Sequence, residues 1–129
     1  MANFIFNSIK TIRYKYYSAP RDVEEVINSV GLDEKRDALI RTLSGGQRRR
    51  LDVGLGIIGS PELLFLDEPT TGLDPLSRKK LWEYLRQVRK QDKITLFLTT
   101  HYLEEAEALC SRLAMLKQGR VVALASTSE

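Results

Sequence analysis

The sequence predicts an α/β fold whose core is built on parallel strands, and three observations carry that prediction. The run Leu63-Leu64-Phe65-Leu66 has the unbroken apolar character of a strand buried on both faces, as strands in parallel α/β sheets are. It stops at two adjacent carboxylates, Asp67 and Glu68. Pro69 and Gly72 then turn the chain into Asp74-Pro75, an acid at the N-cap with proline at the first helical position. A second apolar run, over 94–99, follows the intervening helix, so that strand, helix and strand alternate as in a right-handed parallel crossover. Acids at the carboxyl end of such a strand stand where open α/β sheets place their ligands. An isolated Asp-Glu pair can do no more than solvate a turn, and a second motif, at 43–47, gives this pair its meaning.

Composition sets the bounds. The 129 residues fit one ordinary domain, and 43% hydrophobic with 29% charged residues is the balance of a soluble globular protein. The net charge is +3, with ten Lys/Arg against seven Asp/Glu over 1–60 and ten of each over 61–129. That bias is too small to argue for nucleic acid, and no nucleic-acid partner is expected. A single cysteine, Cys110, excludes an internal disulfide framework and fits a reducing compartment. No apolar run approaches the roughly 18 residues of a membrane span. No basic stretch leads into a long apolar one at the start, so no signal peptide is expected. A role at a membrane would be played from its cytoplasmic surface.

Residues 3–17 read as an amphipathic helix, with Ile5, Ile9, Ile12 and Tyr16 on one face and Lys10, Arg13 and Lys15 elsewhere. Basic residues mixed with Tyr14, Tyr16 and Tyr17 could stack on single-stranded nucleic acid or lie on a membrane or partner surface; the plainer reading is an apolar stripe packed inward with solvated lysines. Pro20 breaks this helix. A second, over about 22–30, carries Val23, Val26, Ile27 and Val30 on one side and ends at Gly31, a residue able to adopt the left-handed conformation.

Leu43-Ser44-Gly45-Gly46-Gln47 opens a third helix patterned by Leu51, Leu55 and Ile58. Ser44 and Gln47 have capping-box spacing. The two glycines between them lack that explanation, since glycine in a helix costs roughly 1 kcal/mol against alanine. They make sense where another group must approach the backbone, and a helix start with bare N–H groups and a serine hydroxyl suits a phosphate. Beyond the acidic strand, a helix over about 75–90 places Leu81, Leu85 and Val88 inward with Trp82 beside them. The strand over 94–99 ends at Thr100-His101, and a helix over about 102–110 begins with Glu104, Glu105 and Glu107, acids favourable to its dipole. Residues 112–116 and 120–124 flank Lys117-Gln118-Gly119 as a strand, a tight turn and a returning strand.

Leu-Ser-Gly-Gly-Gln about fifteen residues before an apolar strand ending in Asp-Glu-Pro-Thr resembles the signature and Walker B motifs of ATP-binding cassette (ABC) ATPases. Gly72-Leu73-Asp74 looks like the D-loop of that family, and His101 like its switch histidine. Four motifs in the right order make the resemblance specific. It covers 43–124 closely and 1–42 more loosely, and the runs around these motifs are most like the ATPase subunits of bacterial drug exporters. The resemblance implies a partial P-loop NTPase fold: a partial helical signature subdomain over 1–60 and the C-terminal part of the α/β core over 61–129, together one incomplete domain.

Departures from the family pattern matter equally. No glycine-rich loop followed by Lys-Ser/Thr is present. The run from Gly54 to Gly59 has the glycine spacing but continues Ser60-Pro61 within a helical pattern. The Q-loop glutamine and the adenine-stacking aromatic are also missing, so the chain looks like the second half of a cassette, shortened again after Ala125.

The resemblance further implies ATP and Mg²⁺ as ligands. Asp67 would hold the metal through water, Glu68 would act as general base, and His101 would contact the γ-phosphate and the attacking water. Ser44, Gly45, Gly46 and Gln47 would bind ATP held by the P-loop of a second ABC ATPase subunit, and Gly72, Leu73 and Asp74 would communicate across that interface. A transmembrane permease would dock on residues 3–30, placing the protein peripherally on the inner face of the cell membrane, while the chain alone is expected to be inactive. Non-transport ABC ATPases of DNA repair, chromosome structure or translation, and a catalytically inactive interaction fragment, are the rival expectations. Apolar surface left bare by absent core strands is expected to promote association.

Overall fold

The computed structural model describes residues 4–127, apart from the side chains of Arg13 and Tyr14; Asn3, expected at the start of the first helix, and the last two residues of the tail lie outside the described residues. Helix α1 (Ile5–Tyr16) sinks Ile5 and Ile9 completely, but its stripe runs out into solvent, with Tyr16 64% exposed. The next aromatic, Tyr17, lies where a Cβ on Gly59 would be, 2.2 Å from its ring, so glycine there lets the ring settle on the backbone. Asp22 caps α2 (Val23–Ser29) by accepting from the N–H groups of Glu24 and Glu25.

Gly31 follows α2 at φ +63°, and a Cβ on it would stand 1.9 Å from the Tyr84 hydroxyl. Arg50 donates to the Gly31 carbonyl at 3.0 Å and stacks over the Tyr84 ring. Two short 3₁₀ turns, Asp33–Lys35 and Ile40–Thr42, lead to α3 (Gly45–Ile57). The glycines of its second half are packing positions. A Cβ on Gly54 would meet Val26 of α2 at 3.3 Å, and one on Gly56 would meet Leu64 at 2.8 Å.

Strands β1 (Leu63–Asp67) and β2 (Thr95–Thr99) pair in parallel, Leu63 with Thr95 through Asp67 with Thr99, and α4 (Pro75–Asp92) connects them. Leu81, Trp82, Leu85 and Val88 form the buried stripe of α4, which ends at Lys93 in the left-handed conformation. After α5 (Leu103–Leu109), β3 (Arg112–Lys117) and β4 (Arg120–Ser126) form an antiparallel hairpin. Gln118 and Gly119 turn it with positive φ at both residues, the geometry that matches the twist of paired strands.

One apolar cluster runs from Ile5 and Ile9 through Ile27, Leu51 and Ile57 to Leu64, Leu85, Val88 and Leu109, so the helical and strand-bearing portions share a core. The β1–β2 pair is covered on only one side. Leu64 packs inward, whereas Leu63, Phe65 (67% exposed) and Phe97 (58%) face outward, the two rings 5.4 Å apart. This corrects the expectation of burial on both faces: among the described residues no second layer reaches this side. The hairpin is similarly bare, with Met115, Leu116, Val121, Val122 and Leu124 exposed. No described helix is long and apolar enough to cross a membrane.

Candidate functional site

Asp67 closes β1 and faces Thr99 across the parallel register. The Thr99 hydroxyl donates to Asp67 Oδ1, and its oxygen accepts from the Glu68 N–H at 3.2 Å. That N–H also donates to the Thr99 carbonyl at 3.0 Å. These bonds hold Glu68 at φ +45°, a left-handed conformation that costs a non-glycine residue roughly 1–3 kcal/mol and persists only where the surroundings enforce it. From that position Glu68 Oε1 lies 2.6 Å from His101 Nε2, and Oε2 accepts from the Thr71 hydroxyl at 3.3 Å. His101 is otherwise open to solvent, its side chain 82% exposed. A carboxylate in contact with imidazole beside a second carboxylate can polarise water and transfer a proton. Among the described residues no group of three or more His, Cys, Asp or Glu side chains forms a metal cage.

The signature stretch lies at the start of α3. Ser44 Oγ accepts from the Gln47 N–H at 3.2 Å while Gln47 Oε1 accepts from the Ser44 N–H at 2.9 Å, a complete capping box. The N–H groups of Gly45 and Gly46 then have no acceptor among the described residues, as expected for the first turn of a helix. The sequence suggests that both glycines admit an approaching group. For Gly46 that group is in the chain itself, because a Cβ there would stand 3.1 Å from Ser77. A Cβ on Gly45 would meet Leu73 at an ordinary 3.5 Å, so the packing around it does not demand glycine.

Leu73 and Ser77 bring the loop after β1 against this helix start. Gly72 turns at φ +81°, and Asp74 caps α4 by accepting from the Ser77 N–H at 3.0 Å. Hydrogen bonds from Ser77 hold the Asp74 carboxyl below its ordinary range. Ser44, Gly46, Gln47, Arg50, Ser77 and Lys80 line a shallow polar depression of about 150 Å³. The predicted site residues therefore form two groups. Asp67, Glu68 and His101 gather at the strand ends; Ser44, Gly45, Gly46 and Gln47 gather with Leu73 and Asp74. Loop 68–74 joins the groups, and no hydrogen bond or ion pair links them directly among the described residues.

Three contributors escaped sequence reasoning. Thr99 and Thr71 look like ordinary strand and turn residues, and only the β1–β2 register exposes the first. Glu105 reads in the sequence as one of three acids favourable to a helix dipole, yet it is fully buried, accepting from the Thr70 hydroxyl at 2.7 Å and from the Trp82 indole at 2.9 Å. Its spacing of four from the buried Leu109, placing both on one helix face, was the available signal.

The overall frame is that of an ABC ATPase domain of the P-loop NTPase class. Over 98% of this chain and 52% of the other, it superposes with a TM-score of 0.87 and 23% identity on cbiO1 of Clostridium perfringens, part of the ABC transporter complex cbiONQ. It superposes with a TM-score of 0.75 and 20% identity on MJ1267, an ATP-binding cassette of an ABC transporter in its ADP conformation, over 96% of this chain and 53% of that one. Residues 3–71, more than half the chain, match the family model described as ABC transporter, and the chain belongs to that family of ATP-binding, ATP-hydrolysing proteins. It is 47% identical over 116 residues to the daunorubicin/doxorubicin resistance ATP-binding protein DrrA of Streptomyces peucetius, covering 90% of this chain and 35% of that protein. It is 50% identical over 107 residues to the Nod factor export ATP-binding protein I of Rhizobium meliloti, covering 80% of this chain and 32% of that protein. The chain thus spans about a third of the length of these relatives.

Proposed function

We propose that this chain is the signature-bearing and hydrolytic portion of the ATPase subunit of an ABC exporter. The observation that carries the reading is the contact between Glu68 and His101 at the carboxyl ends of β1 and β2, beside the tethered Asp67. In this reading Glu68 orients the attacking water and takes up its proton, a role typically worth 10²–10⁴ in rate. His101 holds Glu68 in place and presents its imidazole to the terminal phosphate of the ATP substrate. Asp67 suits Mg²⁺ bound through water, since that ion keeps several waters and takes one or two carboxylates beside substrate phosphates; it would supply charge neutralisation there.

The bare N–H groups of Gly45 and Gly46, with the Ser44 hydroxyl, form an anion site one loop away from Glu68. That separation suits ATP presented by a second ATPase subunit, closed upon by Ser44, Gly45, Gly46 and Gln47, with Gly72, Leu73 and Asp74 relaying between the two sites. Residues 1–60 and 61–129 then form one incomplete nucleotide-binding domain, and the phosphate-cradling loop comes from outside these residues. The outward face of Phe65 and Phe97 supports this, because parallel sheets are covered on both sides. Export rather than uptake is favoured by what the two relatives' names state, resistance and export. A transmembrane permease docking on residues 3–30 would hold the subunit on the cytoplasmic face of the membrane; the exposed Tyr16 supports that surface, as does Tyr17, which rests one edge on Gly59 and stays 41% exposed.

The test is Glu68→Gln in the full-length subunit. It is expected to bind ATP, fail to hydrolyse it and accumulate as an ATP-bound dimer on size-exclusion chromatography. Undiminished turnover would remove Glu68 from its assigned role.

A further inference from the structure

The described residues bury one carboxylate completely, Glu105 on α5, and the chemistry assigned to the strand ends does not use it. Burying an ionisable side chain is costly unless its hydrogen bonds are satisfied. Both donors it serves come from elsewhere in the fold: the Thr70 hydroxyl from the loop after β1, and the Trp82 indole from α4. Its other oxygen, Oε2, is buried with no partner among the described residues. Thr70 is itself fully buried and lies two residues after Glu68, while Glu105 lies four after His101.

The contacts therefore close a ring: from Glu68 along the chain to Thr70, across a hydrogen bond to Glu105, back along α5 to His101, and across 2.6 Å to Glu68. Helix α4 braces the far side. Besides Trp82, Arg86 donates to the Ala108 carbonyl at 3.0 Å and Arg89 to the Leu109 carbonyl at 2.6 Å, occupying the terminal carbonyls of α5. His101 itself is largely exposed, so beyond Glu68 its position depends on how α5 is seated.

We propose that Glu105 is a positioning residue that ties the loop bearing Glu68 to the helix that follows His101, so that the two catalytic side chains keep their register. This rests on the hydrolytic reading of Glu68 and His101. The useful property of Glu105 is its acceptor oxygen, since one atom serves both donors. Glutamine preserves an acceptor at the same reach, and alanine removes it.

The sequence supplies its own reporters, because His101 is the only histidine and Trp82 the only tryptophan. The experiment uses the full-length subunit labelled with ¹³C-histidine, its His101 resonance and Trp82 emission assigned by loss in His101→Gln and Trp82→Phe. Glu105→Ala is expected to shift the His101 ring resonance and the Trp82 emission. It is also expected to lower kcat roughly 10–100-fold at unchanged KM for ATP, the range typical of residues that orient catalytic groups from behind. Glu105→Gln should return all three most of the way, with kcat within about fivefold of the parent, as for exchanging one hydrogen-bond acceptor for another of the same reach. Should Glu105→Ala fail to fold, Thr70→Val removes one donor within the same volume and is expected to move His101 and kcat in the same direction.

An unmoved His101 resonance in either variant, or Glu105→Gln as impaired as Glu105→Ala, would overturn the proposal. Glu68→Gln, run in parallel, separates the two ideas. Turnover that survives it means that the hydrolytic reading has failed, whereas turnover lost there but untouched in Glu105→Ala means that the positioning role alone has failed.

Discussion

At the residue scale, backbone and side-chain bonds to Thr99 hold Glu68 in an unfavourable conformation, and its carboxylate meets His101 there. Strain of this kind survives where neighbours over-determine it, and here the neighbour is the last residue of the adjacent strand. The lone thiol has a different environment. Burial pushes the Cys110 thiol above its ordinary value of 9.0, although Arg89 partly opposes that. The sign follows: the folded thiol stays neutral where a free cysteine begins to ionise, and any stability it contributes is present below pH 9.0 and lost as pH rises through the higher folded value. Because the thiolate is the reactive form, Cys110 is expected to react with a thiol reagent at pH 8 more slowly than a cysteine in an unstructured peptide. Equal rates would contradict the burial argument. Glu105 shows what was hidden at this scale. Three acids early in a helix read as dipole partners, and although the spacing of Glu105 from Leu109 places it on the inward face, nothing local reveals that Trp82 and Thr70 will converge on it.

At the element scale, the sequence was most legible where the chain changes direction. Ser44 and Asp74 each cap the helix they were expected to open, Asp22 turns out to cap a helix expected to begin at about that residue, and the two parallel strands lie within a residue of their predicted bounds. Capping and apolar runs are local signals, so they survive without tertiary context. The glycines required more context. Gly46 lies where α3 meets Ser77, Gly56 where it meets Leu64, and Gly59 beneath Tyr17, contacts that exist only once the elements pack. Gly31 combines both kinds of demand, a positive φ and the Tyr84 hydroxyl in the space of a Cβ. Gly31→Ala is expected to destabilise by at least about 1–2 kcal/mol from the left-handed conformation alone, and further by displacing Tyr84 from beneath Arg50. A thermal melt in the assembled protein checks this. An unchanged midpoint would mean that neither the conformation nor the contact matters.

At the scale of the whole molecule, the decisive feature is what the core does not cover. The run 63–66 reads as buried on both faces because its composition belongs to a complete sheet; these residues supply one layer, and Phe65 and Phe97 remain outside. Substituting both with serine is expected to reduce self-association of the isolated chain, followed by light scattering, and to weaken its assembly with an N-terminal half. Association unaffected by the double substitution would place the sticky surface elsewhere, on the exposed hairpin first. The absence of a phosphate-cradling loop from the sequence and the bare sheet face in the structure both support the proposal that a further layer, bearing that loop, covers Phe65 and Phe97. The most direct test is Mg-ATP turnover by the chain alone and mixed with a P-loop-bearing N-terminal half, with Glu68→Gln as control. Turnover that appears only in the mixture and falls at least about 10²-fold with the substitution is the predicted result. Turnover by the chain alone, or by the mixture regardless of Glu68, would contradict it.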